Sequence, residues 1–92
     1  MDATYSIRNE SLHDIVVIME DDDRKRSLKI PPNGEAAFKA HMLDRPDFRV
    51  YEAEGESDEE PKMLTSKNVG PLDSIAASAI QVTYTFDGAR LN

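Results

Sequence analysis

The sequence predicts an all-β fold, a two-layer sandwich of about six or seven strands, mostly antiparallel, on three observations. Apolar residues recur at every second position in several short windows, turn-forming residues separate those windows, and helix signals are nearly absent. A chain of 92 residues is the size of one domain, so residues 1–92 are read as a single unit. A domain this small buries only about 60–65 % of the surface its unfolded chain exposes, so one thin core must supply nearly all the stability. That leaves little room for a deep internal site.

Residues 5–8 alternate Tyr5 and Ile7 with Ser6 and Arg8, as a strand with one inward face does. Residues 15–19, Ile-Val-Val-Ile-Met, are apolar on both faces. Such a run suits a strand in the middle of a sheet covered on both sides, or one lying beside a bulge. Residues 27–30 alternate again, with Leu28 and Ile30 on the inward side. Pro31-Pro32-Asn33-Gly34 is the clearest turn, because proline presets φ at the first central position while Asn and Gly tolerate positive φ.

Over residues 35–41, Ala36, Phe38 and Ala40 share one face, which predicts a strand against a competing helix of good propensity. Residues 47–54 alternate Phe48 and Val50 with Arg49 and Tyr51, then pass into the polar run 55–61, which has nothing to pack and reads as a mobile loop. A short strand over 62–69 carries Met63 and Leu64. Gly70-Pro71 breaks it. Residues 73–79 read as one or two helical turns capped by Asp73 or Ser74, or as an irregular lead into the last strand. Residues 80–87 alternate Ile80, Val82, Tyr84 and Phe86 with polar residues and form the strongest strand signal in the chain. The predicted core is Ile7, Val17, Ile30, Phe38, Val50, Val82, Tyr84 and Phe86. The sum is an antiparallel two-layer β-sandwich, immunoglobulin-like or similar, with at most one short helical turn.

Eleven basic residues stand against 18 acidic ones, a net charge of −7 that argues against a nucleic-acid partner held by counterion release. Ten of the 18 acids fall in residues 20–23 and 52–60, and the remainder of the chain is slightly basic. Residues 1–5 lack the basic start and apolar run of a signal peptide, and no stretch approaches the roughly 18 apolar residues that span a bilayer. The expected compartment is the cytoplasm, although a mature secreted fragment restarted at Met would look the same. Absence of cysteine excludes disulfides, thiolate ligands and cysteine nucleophiles, and fits a reducing compartment.

If consecutive strands run antiparallel, the loops at 9–13, 31–34 and 55–61 share one end and those at 21–26 and 41–46 share the other. In the second group Asp21, Asp22 and Asp23 meet Arg24, Lys25 and Arg26, so the charge cancels. The first end has no such compensation beyond Lys62 and is expected to be strongly negative.

Ser11, His13 and Asp14 are the residue types of a hydrolase triad, but three members within four residues of a tight loop cannot adopt triad geometry, and a turn in which Asn9 and Ser11 bond local backbone is the expectation. His13 and His41 belong to opposite ends and cannot share a zinc ion. Neither acidic stretch has the ligand spacing of an EF-hand loop. Glu52 and Glu54 lie on one strand face and read as solvent-facing neighbours, not an acid/base pair. Glycines are isolated, so no phosphate loop is present.

The function expected from these residues is that of a non-enzymatic protein-interaction or structural module without cofactor or metal, binding a protein through a sheet edge or through its acidic loop end. Glu54, Glu56, Asp58, Glu59 and Glu60 are the candidate contact residues, and self-association through an edge is one form the contact could take. The alternative is a calcium-dependent ligand- or carbohydrate-binding sandwich. Neither nucleic acid nor membrane is expected as a partner.

Overall fold

A computed structural model describes residues 2–21, 24–41, 46–53, 62–68 and 80–92. Seven strands make up this part: β1 (Asp2–Asn9), β2 (Ile15–Glu20), β3 (Lys25–Ile30), β4 (Glu35–His41), β5 (Asp47–Glu52), β6 (Met63–Asn68) and β7 (Ile80–Phe86). They form a three-stranded sheet in the order β4-β1-β7 and a four-stranded sheet in the order β3-β2-β5-β6. The two sheets pack face to face as a β-sandwich. Among the described residues there is no helix, and none long and apolar enough to cross a membrane.

Register shows how the chain runs. Arg8 near the end of β1 pairs with Glu35 at the start of β4, Ile15 at the start of β2 pairs with both Ile30 and Glu52, and Tyr51 pairs with Met63. Consecutive strands therefore alternate in direction. Strands that differ by an odd number in chain order must then pair antiparallel, and strands that differ by an even number must pair parallel. Four of the five pairings join an odd strand to an even one and are antiparallel, whereas β1 and β7 lie side by side and run parallel. The alternation also gathers the turns at residues 10–14, 31–34 and 87–90, together with the chain ends at Ala53 and Lys62, at one pole.

The turn at Pro31 has its Gly34 N–H donating to Pro31 O at 2.9 Å, and Asn33 carries a φ of 63°, as the third residue of a type II turn does. Gly34 serves differently. A Cβ there would stand 2.9 Å from Pro31 Cδ, so the position requires glycine for close approach and not for positive φ. With this turn in place residues 35–41 form β4, and the helical alternative fails because Ala36, Phe38 and Ala40 must face the other sheet together.

The core joins both sheets. Tyr5, Ile7 and Phe38 from one sheet meet Ile15, Val17, Met19, Ile30, Phe48 and Val50 from the other, all essentially inaccessible to solvent, with Ala3, Ala40, Phe86 and Leu91 completing the set. Phe48 is its hub. Its ring lies 5.5 Å from that of Tyr5, 5.8 Å from Phe38 and 6.1 Å from Tyr84, the first two edge-on. Such pairs add about 0.5–1.5 kcal/mol each beyond the area they bury.

Three expectations change. Val82 and Tyr84 are half-buried, because β7 is an edge strand and the opposing edge strand β6 covers it only in part, Lys67 Nζ standing 5.0 Å from the Tyr84 ring centroid. β2 is central, as its composition implied, but it is covered on one face only. Ile15, Val17 and Met19 point into the core, while Val16 and Ile18 are half-buried on the outer surface between β3 and β5. Leu28 keeps 41 % of its surface exposed although its parity matches buried Ile30, because β3 is also an edge strand and only its Ile30 end lies under the other sheet.

The expected loop at 55–61, the breaker at Gly70-Pro71 and the expected helical turns at 73–79 fall outside the described residues.

Candidate functional site

Asn9 organises the pole where the turns gather. It is completely buried, and a buried amide must find partners for both its ends. Its Nδ2 donates to His13 O at 2.8 Å and to Ile30 O at 3.0 Å, while its Oδ1 accepts from the Ser11 N–H at 2.9 Å. The Ser11 hydroxyl, which has one proton, lies 2.6 Å from Asn9 Oδ1 and 3.0 Å from His13 O. The Asn9 backbone is engaged as well, donating to Gly34 O at 2.9 Å and accepting from the Asn33 N–H at 2.7 Å. The side chain thus joins the turn after β1 to the end of β3, and the Asn9 backbone adds the turn before β4.

Ser11 bonds Asn9 and local backbone, and His13 projects into solvent. Asp14 pairs with Lys29 at 3.5 Å across the surface. The three triad-type residues therefore point to three different partners. The backbone of His41 lies at the opposite end of the sandwich, paired with Asp2. No group of three or more His, Asp or Glu side chains among the described residues converges closely enough to hold a metal ion.

A second turn completes the pole, and sequence patterning had passed over it. After β7 the chain turns at Asp87 and comes back, so that Thr85 and Asn92 exchange backbone hydrogen bonds of 2.8 and 2.9 Å and Leu91 is buried beside Phe86. Gly88 takes a φ of 106°, where a side chain would be strained. Asp87 Oδ1 accepts from the Arg90 N–H at 2.8 Å and from the Ala89 N–H at 2.9 Å. Those bonds, Arg90 first, hold the Asp87 carboxyl below the usual aspartate value.

A group whose folded pKa is depressed stabilises the fold above its unfolded pKa, and that contribution disappears as the pH falls through the folded pKa. The melting temperature of the native chain should therefore drop on acidification below about pH 4, the ordinary aspartate range. Asp87→Asn keeps an acceptor oxygen but no titrating proton, so the gap in melting temperature between the two proteins should close as the pH falls. A constant gap from pH 7 to pH 2 would show that the carboxylate charge has no part in the turn.

Between these two turns lies a cleft of about 350 Å³. Ile15, Leu64 and Phe86 form its apolar floor, and Glu10, Asp14, Glu52 and Asp87 stand around it. Leu12, at its rim, keeps 87 % of its surface exposed. Three of these carboxylates have partners of their own, Glu10 standing 3.4 Å from Arg8, Asp14 3.5 Å from Lys29 and Asp87 accepting from the Ala89 and Arg90 N–H, all at the solvent-facing margin. An apolar floor beside such carboxylates has the chemistry to suit a side chain that is apolar along its stem and cationic at its tip. The volume is at the small end for ligand pockets, which run from roughly 300 to 1,000 Å³.

Glu54, Glu56, Asp58, Glu59 and Glu60 lie outside the described residues, but the segment that carries them leaves the sandwich at Ala53 and returns at Lys62, and both ends are at this pole, where the Glu52 N–H donates to Lys62 O at 3.0 Å. Sequence reasoning pointed to this pole through acids at 54–60 that lie outside the described residues, and it missed the cleft. The available signal was Leu12, an apolar residue stranded in an otherwise polar turn. No protein-family model matches the chain, and comparison with curated proteins and with solved structures found no match.

Proposed function

We propose that the protein is an interaction module whose acidic pole binds a cationic, partly apolar segment of another protein. The observation that carries this reading is the cleft, with its apolar floor of Ile15, Leu64 and Phe86, its ring of carboxylates and exposed Leu12 at its rim. A large apolar side chain left in water at the tip of a turn costs the fold nothing to remove, and it contributes most where a partner covers it. Glu54 to Glu60 add the long-range field. In this reading they steer the partner, while the cleft and Leu12 hold it.

The two parts separate experimentally. A soluble peptide alternating Lys and Leu serves as probe, titrated into the isotopically labelled chain. The amides of Leu12, His13, Glu52 and Gly88 are expected to shift together, and Leu12→Ser is expected to weaken binding by about tenfold without changing the melting temperature. Neutralising Glu56, Asp58, Glu59 and Glu60 together should slow association by about tenfold at 0.01 M salt, where the Debye length is about 30 Å, and have little effect at 0.15 M, where it is about 8 Å. Unchanged rates and an unchanged salt slope would remove the acidic segment from the mechanism. Shifts confined to other surfaces would remove the pole.

A further inference from the structure

We infer that the open edge of β3 is a docking strand for an acidic, extended segment of a partner protein, independently of the acidic pole. β3 closes its sheet on one side. It pairs with β2 along its whole length, and no strand among the described residues pairs with its other edge. Such an edge presents a row of backbone donors and acceptors to any chain that arrives extended.

The side chains of β3 narrow the choice. The strand reads Lys-Arg-Ser-Leu-Lys-Ile, with three cations and no carboxylate, in a protein whose net charge is −7. Lys25, Ser27 and Lys29 are exposed and share the outer face by their period-2 spacing. The acid opposite Lys25 is Glu20, and it is taken up by Arg49 at 3.1 Å, whereas Lys29 stands 3.5 Å from Asp14 in a solvent-exposed pair, so Lys25 and Arg26 are the cations that select the partner. On the inner face Ile30 is buried, Leu28 is 41 % exposed and Arg26 is half-buried, so an incoming strand finds an uncovered apolar residue beside a cation. A second copy of the chain suits this edge poorly, because β3 paired with β3 brings its cations against one another. Acids alternating with small apolar residues suit it on both faces. Lysines that protect an edge from self-pairing thereby select a partner of opposite charge.

The probe is the blocked heptapeptide Glu-Val-Glu-Val-Glu-Val-Glu, titrated into the full chain. Saturable binding is expected, with the amides of residues 25–30 gaining about tenfold or more in hydrogen-exchange protection. The same peptide N-methylated at alternate residues should fail to bind, since it cannot complete the ladder. Lys25→Glu, which leaves the Lys29–Asp14 pair intact, should weaken binding by about tenfold while the amide spectrum of the fold is retained. Equal binding of the N-methylated peptide, equal binding of a Lys-Val peptide, or protection gained anywhere but β3 would each overturn the proposal. Concentration-dependent dimerisation that protects β3 without any peptide would overturn it as well, by assigning the edge to a second copy.

Discussion

Phe48→Ala is expected to lose about 3–5 kcal/mol of stability, the cost of a large aromatic removed from a core that cannot collapse around the cavity. Phe48 is completely buried and its ring touches those of Tyr5, Phe38 and Tyr84, which come from three different strands of the opposing sheet. Truncation therefore removes contacts that join the two layers, not contacts within one. Small domains have about 0.05–0.15 kcal/mol of stability per residue, so the expected loss is a large share of the total. Chemical denaturation of the native and variant chains measures it. A loss below about 1 kcal/mol would show that the layers are held together elsewhere.

Asn9→Ala is expected to cost roughly 2–4 kcal/mol, although it removes only a short polar side chain. Its effect comes from the partners it leaves. Ile30 O, bonded to Asn9 Nδ2 in a buried position, would lose that bond with no solvent to replace it, and the bonds to His13 O and the Ser11 N–H would go as well. Asn9→Asp tests the same geometry by charge. A carboxylate would face two carbonyl oxygens in the interior, so its folded pKa is expected to rise above the unfolded value. With that sign the variant is most stable below the ordinary aspartate pKa and loses stability as the pH rises through the folded one, opposite to the behaviour expected from Asp87. A melting temperature for Asn9→Asp that is flat between pH 3 and pH 7 would contradict the buried network. Loss of the turn after β1 would also alter the cleft, so binding of the cationic probe and stability should fall together in these variants, whereas Leu12→Ser should weaken binding alone.

Much of the fold was legible in the chain because strand signals are local. Residues 35–41 read as a strand and form β4 with the same bounds, since Ala36, Phe38 and Ala40 carry their pattern within one element. Pro31 to Gly34 read as a turn for reasons of backbone φ that no distant residue changes, although the steric role of Gly34 depends on its fit against Pro31. The alternation of strand direction entered the sequence reading as a condition, and the pairings agree with it. It carried the charge argument to one pole before any coordinates did.

Burial at the edges was not accessible. Leu28 and Val82 have the same period-2 credentials as Ile30 and Phe86, and what separates them is where the facing sheet ends. Nor was the parallel contact between β1 and β7, which follows from parity only once these two strands are known to be neighbours. The cleft belongs to the same class. Ile15, Leu64 and Phe86 come from three strands in two sheets, and no spacing along the chain brings them to one floor. The sequence by itself determined which segments are strands and where they turn, because those properties depend on neighbours within a few residues. Only the tertiary structure decided which strands are edges, which apolar residues stay in water and that the pole where the turns gather is hollow, because each of these depends on what a second sheet covers.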